Sequence, residues 1–236
     1  KMESVQFKND HEIEDNNLNH QQEQQQIEHV EQYIPHLLQL VSETSSILHS
    51  PIEEMSLEEI YSRETKQIVA DMIYSIHPKQ LELAKAPYRK AAGMAANQWN
   101  INKRIFLFCP DGSDQEVKVI FNPTYKSRLL AQSHTSELKT IPSNHITDFN
   151  QEGCFSVPYA YGTVERYKHI EISYIDDKGI KHMNEQLSDW PARVWQHETD
   201  HLNGILYSNR QSGINNGPNC IELHRFQTKD EFEKYR

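Results

Sequence analysis

Hydrophobic residues in this chain recur first at helical spacing, then in alternation, then at helical spacing again. Ser56-Leu57-Glu58-Glu59 has the form of a capping box. Beyond it Ile60, Ile68, Met72 and Ile76, with Val69 and Ile73 beside them, fall on one face of a 3.6-residue period. The spacing predicts one long amphipathic helix over 57–76 whose apolar stripe packs on a core. The stretch HPKQLELAKAPYRK that follows reads as a connection or insert near 77–90. RIFLF (104–108) and VKVIFN (117–122) read as strands on either side of the turn-rich PDGSDQ. HIEISYI (169–175) alternates, turns at Asp176-Asp177-Lys178-Gly179 and returns as a second strand. Helical spacing then resumes. Ser188 is placed as an N-cap with Pro191 in the first turn, Val194, Trp195 and Leu202 form an apolar stripe, and Gly204 is placed to end the helix. Strands gathered around one late helix make the chain α+β, with antiparallel or mixed sheets, rather than an alternating β-α-β fold.

The ends read differently. The first 30 residues are rich in Asn, Gln, Glu and His and hold little to bury, so they are expected to be disordered or loosely helical. YIPHLLQLVSETSSIL, within 31–50, is apolar enough to dock on a core. Residues 1–50 are therefore taken as an N-terminal, partly helical extension and 51–236 as the main domain. The last stretch, SGINNGPNCIELHRFQTKDEFEKYR, looks irregular or strand-like and has mixed charge.

Charge and composition narrow the function. A net charge of −10 and a pI near 5.7 disfavour direct nucleic-acid binding. No apolar run is long enough to span a membrane, and no signal or transit segment is recognised, so a cytoplasmic protein is expected. Three scattered cysteines do not make a disulfide framework, and one is available to ligate metal as thiolate.

The chemistry concentrates in WQHETDHLNG, residues 195–204. On a helix, His197 and His201 project from one face, one turn apart, and Glu198 sits where it can reach a water on a shared metal ion. A catalytic metal usually takes a third protein ligand and keeps one open position. Upstream, EGCFS offers Cys154 on a turning segment; downstream, Glu222 and His224 are available. A further stretch, AAGMAANQ (91–98), has small residues around Gly93 that let a backbone pass close to a ligand, and a side-chain amide, Gln98, that can donate to an oxyanion.

Together, and in this order, AAGMAANQ, EGCFS and QHETDH resemble the G-x-G-x-A-A-x-Q, E-G-C-x-S and Q-H-E-x-D-H motifs of the peptide deformylases. Ala91 stands where the first glycine is usual. The resemblance runs over roughly 56–210 and takes in FNP (121–123), VER (164–166) and HLNGILY (201–207). It implies that Cys154, His197 and His201 bind one divalent metal, Fe(II) by expectation, with Zn, Ni or Co as substitutes. It implies that Glu198 is the general base and then the acid, and that Gln98 and the backbone N–H of Phe155 stabilise the oxyanion. Glu152 would orient the motifs through an arginine such as Arg104. Ala92, Gly93 and Gly153 would flank the substrate, with Trp190 and Val194 lining its methionine pocket. The implied substrate is N-formyl-methionine at the start of a newly made polypeptide, held along an exposed strand edge, and the products are formate and a free amino terminus. Docking on the ribosome through a basic C-terminal helix is not implied by this C-terminus. Two other readings stand beside it: a non-catalytic or altered-substrate peptide-binding paralogue, and a zinc endopeptidase with Glu222 or His224 as third ligand.

Overall fold

The computed structural model describes residues 33–112, 116–128, 146–209 and 220–235. The low-complexity first 30 residues, expected to be disordered or loosely helical, lie outside the described residues. Ile34–Arg236 forms one unit by its contacts. No helix among the described residues is long and apolar enough to cross a membrane.

The Ser56 capping box forms as its sequence requires: the Ser56 hydroxyl accepts from Glu59 N–H at 3.2 Å, and the Glu59 carboxylate accepts from Ser56 N–H at 2.9 Å. The helix it starts is short. Instead of one helix over 57–76 there are two, α1 (Leu57–Tyr61) and α2 (Arg63–Ile76). Ser62 between them is extended, and its hydroxyl caps Thr65 N–H at 3.1 Å. A serine bonded to a backbone N–H three residues on competes with the helical ladder, and here it breaks the helix. The expected connection that follows contains a third helix, α3 (Pro78–Leu83), with proline in its first turn.

Among the described residues eight strands follow: β1 (Gly93–Ala95), β2 (Ile105–Phe108), β3 (Lys118–Ser127), β4 (Thr147–Cys154), β5 (Val157–Tyr167), β6 (His169–Ile175), β7 (Lys181–Ser188) and β8 (Cys220–Arg225), with helix α4 (Asp189–Leu202) between the last two. They make a five-stranded sheet, β1-β2-β3-β6-β7, and a three-stranded sheet, β4-β5-β8, and every pairing is antiparallel. The fully buried run Ile105-Phe106-Leu107-Phe108 shows that the large sheet is covered on both faces. Ile105 and Leu107 pack with Met72 and Ile76 of α2, whereas Phe106 and Phe108 pack with Trp195 and Leu202 of α4. In β5 burial alternates, so that Ala160, Gly162, Val164 and Arg166 point inward. Helix α4 touches strands of both sheets. The segment before α1 docks as its composition suggested: Leu48 is fully buried with Val157, Ala160 and Leu206, and Val41 N–H donates to the Gln98 carbonyl at 3.0 Å.

Of the C-terminal stretch, 212–219 lies outside the described residues, and the strand-like expectation is met from Cys220 on. β8 pairs with β5, and a helix, α5 (Lys229–Tyr235), follows it. Thr228 caps Glu231 N–H at 3.2 Å while the Glu231 carboxylate accepts from Gln227 N–H at 2.9 Å. This reciprocal cap, Thr-x-x-Glu, starts the helix.

Helix α4 stops where Gly204 takes φ +74°, and a Cβ there would lie 2.7 Å from the Ser50 backbone. Gly204→Ala therefore meets both a left-handed backbone and a collision. It should cost about 1–3 kcal/mol, read as a lower denaturant midpoint with unchanged slope. A wild-type midpoint would mean that the Ser50 segment gives way freely.

Candidate active site

One face of α4 carries Arg193, His197, Asp200 and His201, at spacings of three, four, seven and eight residues. Against it β4 brings Glu152 and Cys154, β5 brings Arg166, and a 3-10 turn, Ala96–Trp99, brings Gln98. Residues far apart in the chain meet here because α4 lies between the two sheets.

The ligand atoms of Cys154, His197 and His201 all lie within 4.8 Å of one another, and this is the group among the described residues that could hold a metal ion. Cys154 Sγ is 3.2 Å from His201 Nε2, which is 3.2 Å from His197 Nε2. Two N–H groups point at the sulfur, the Ser156 backbone at 3.4 Å and Gln98 Nε2 at 3.5 Å. Burial pushes His201 well below the ordinary histidine range, which keeps the ring neutral. Its Nδ1 has no hydrogen-bond partner among the described residues. For His197 burial also opposes charge, yet Cys154 and Glu152 beside it raise the ring well above its ordinary value, so taking up an ion as ligand would release that proton. Two imidazoles and a thiol converging on one point fit a divalent transition metal. Glu222 and His224 lie elsewhere: they pair with each other on β8 at 3.0 Å.

Glu152 stands outside that group but orients His197. Its carboxylate accepts from His197 Nδ1–H at 2.9 Å, so that Nε2 is the nitrogen facing the ligand cluster. It also accepts from Arg166 Nε and Nη2, each at 2.8 Å, and from Arg193 Nη1 at 2.7 Å. Burial would raise its pKa, but Arg166 holds it well below the carboxylate range. Arg166 bonds Asp200 as well, and Asp200 accepts from the Tyr125 hydroxyl at 3.1 Å. The expected partner, Arg104, is occupied otherwise. It donates to the Ile52, Leu202 and Pro123 carbonyls and to Asn203, bracing the C-terminal end of α4, where a cation is favoured. Arg166 lies in the VER stretch and Arg193 one turn before His197, so both were visible in the sequence, but nothing local marked them as partners of Glu152.

Glu198 is buried, and its Oε2 has no partner among the described residues. Burial pushes it up to about 7, with His197 pulling the other way. Gly93 on β1 makes its place: a Cβ there would lie 2.6 Å from Glu198 Cγ. Gln98 is held by its own turn, Oε1 accepting from Ala95 N–H at 2.9 Å and Nε2 donating to Ser156 Oγ at 3.0 Å.

A cavity of about 430 Å³ opens onto this cluster. Ala92, Gly93, Gln98, Gly153, Phe155, Trp190, Val194, His197 and Glu198 all line it, as do Tyr88, Tyr161 and Tyr235, which the sequence did not single out. Trp190 stands at the rim, 48% exposed, with its indole N–H on the Pro110 carbonyl at 2.6 Å. Tyr88, from the stretch before β1, lies over Gly153, where a Cβ would come 2.1 Å from its hydroxyl oxygen. Ala91 points away from the cavity into the core around Met94, and it is not among the described non-glycine residues with positive φ. Its methyl group therefore replaces the usual glycine hydrogen without straining the backbone.

Arg166→Met removes the cation shared by Glu152 and Asp200. Breaking a buried pair in this way costs about 3–5 kcal/mol. Loosening the carboxylate behind His197 should weaken metal binding about 10–100-fold in a chelator-competition titration. Wild-type stability and affinity in this variant would show that Arg193 alone holds Glu152.

Residues 37–216 match the family model described as polypeptide deformylase. A peptide deformylase of Fusobacterium nucleatum is 33% identical over 161 residues, covering 68% of this chain and 76% of that protein. Another, of Ligilactobacillus salivarius, is 34% identical over 154 residues, covering 62% and 75%. Among solved structures, the class I type b peptide deformylase from Acinetobacter baumannii, with Met-Ala-Ser bound, is similar with a TM-score of 0.55 and 27% identity over 75% of this chain and 100% of that one. The peptide deformylase from Thermotoga maritima is similar with a TM-score of 0.56 and 25% identity, over 75% and 99%.

Proposed function

We propose that this chain, which belongs to the polypeptide deformylase family, hydrolyses the formyl amide of N-formyl-methionine at the start of newly made polypeptides. The convergence of Cys154, His197 and His201 beside a buried Glu198, whose Oε2 has no partner among the described residues, carries the reading. A divalent ion held by those three side chains, Fe(II) in preference to Zn, Ni or Co, would polarise the formyl oxygen and lower the pKa of the attacking water to about 7. A reducing cytoplasm suits such a site, since Cys154 must stay a free thiol.

Glu198 takes the proton from water as the new C–O bond forms and returns it to the nitrogen as the C–N bond breaks. The products are formate and a free amino group, and the carboxylate is regenerated. A carboxyl group raised to about 7 is suited to both transfers near neutral pH. Gln98 Nε2, already anchored on Ser156, and the Phe155 N–H would donate to the oxygen as negative charge develops on it. Val194 and Trp190 would receive the methionine side chain, and the small residues Ala92, Gly93 and Gly153 would let the substrate backbone approach. The test is formate release from formyl-Met-Ala-Ser by protein purified without oxygen, with metal content measured on the same sample. Inactive protein carrying one equivalent of Fe(II) would refute the reading.

Two variants separate binding from chemistry. Cys154→Ala should lose tight metal binding, whereas His224→Ala should keep one metal per chain; full occupancy and activity in Cys154→Ala would favour an endopeptidase-like ligand set. Glu198→Gln keeps the shape but not the base. Metal should remain bound while kcat falls by about 10² or more. Retention of kcat within a few fold would remove Glu198 from the proton path.

A further inference from the structure

The matched family region ends at residue 216, yet α5 beyond it reaches the same cavity as the catalytic cluster through Tyr235. Phe232 of α5 is buried, stacking on Tyr161 at 4.8 Å between ring centroids and meeting Tyr88 edge-on at 5.6 Å. Tyr88 in turn meets Phe155 at 5.2 Å. An aromatic wall thus runs from the residue after Cys154 out to the C-terminal helix. At its outer end stands Tyr235, 44% exposed, with its ring 5.0 Å from that of Phe226 and 6.0 Å from that of Tyr161. Its hydroxyl accepts from Gln151 Nε2 at 3.2 Å.

That hydrogen bond gives a scale. Gln151 lies three positions before Cys154 on β4, and at about 3.3 Å per residue the separation along the strand is about 10 Å. An extended peptide advances by the same rise. When its formyl group reacts beside Cys154, its third residue comes abreast of Gln151 and Tyr235. The lining side chains at this end, Gln151, Tyr161 and Tyr235, carry no charge.

We propose that Tyr235, with Tyr161 behind it, forms a subsite for an aromatic side chain at the third residue of the formylated peptide, so that the C-terminal helix acts as a specificity wall of the groove. The proposal rests on the deformylase reading above. A half-exposed ring, already held by its neighbours, gains an edge-to-face contact with an incoming aromatic side chain at little ordering cost. The gain appears in KM, because the contact lies far from the reacting bond and is equal in ground and transition states.

The experiment compares kcat/KM for formyl-Met-Ala-Phe, formyl-Met-Ala-Ser and formyl-Met-Ala-Glu with the metal-loaded full chain. The wild-type protein should prefer Phe over Ser by about fivefold, through KM. Tyr235→Phe should keep that ratio and Tyr235→Ala should bring it close to one. Tyr235→Lys, at a half-exposed helix position, should lower the Phe/Ser ratio and raise the Glu/Ser ratio. A folding defect lowers all three rates together and cannot reverse a preference. A wild-type enzyme indifferent to the third residue, or substitutions that leave the ratios unchanged, would overturn the subsite. A wild-type protein that cleaves none of the three peptides would overturn the deformylase reading instead.

Discussion

The site depends on four charge-assisted hydrogen bonds to one buried carboxylate. Glu152 takes two from Arg166, one from Arg193 and one from His197, and so ties β4, β5 and α4 at a single point. A buried carboxylate would ordinarily be neutral, and it stays charged here because two guanidinium groups face it. With Asp200 on the far side of Arg166 and Asp148 on Arg193, three carboxylates surround the two guanidinium groups. Such a network is a poor source of stability compared with apolar packing, but it fixes direction. It sets which nitrogen of His197 carries the proton and therefore which nitrogen faces Cys154 and His201.

Around that point the fold keeps two requirements apart. The candidate ligands and the network are largely enclosed by α4 and both sheets, which limits water and strengthens their electrostatic contacts. The reacting groups must nevertheless be reached by a peptide. Small residues allow it: Gly93 leaves room for the Glu198 side chain, and Gly153 lets Tyr88 close the groove directly over β4. Trp190 marks the opposite rim, tied to Pro110. The groove is thus walled by aromatic rings and floored by backbone.

Two segments outside the sheets brace residues that face the cavity. The segment before α1, within the family match, buries Leu48 and binds the turn carrying Gln98. The C-terminal helix, beyond the match, buries Phe232 against Tyr161 and Tyr88.

Sequence alone determined what is set by local spacing. The His197-Glu198-x-x-His201 helix, the Ser56 cap, the 169–188 hairpin and the Gly204 stop were legible because helix period, strand alternation and backbone sterics act over a few residues. Local rules also erred where two competed: Ser62 caps a second helix inside an unbroken apolar period, and the Thr228 cap was hidden in a charged tail. Pairing over distance was decided only by the tertiary structure. Arg166 rather than Arg104 facing Glu152 and Tyr235 entering the cavity follow from strand register and from α4 lying between two sheets. Charge and residue type can nominate an arginine or a tyrosine for such a role. Which one fills it depends on where the chain returns, and no short-range pattern encodes that.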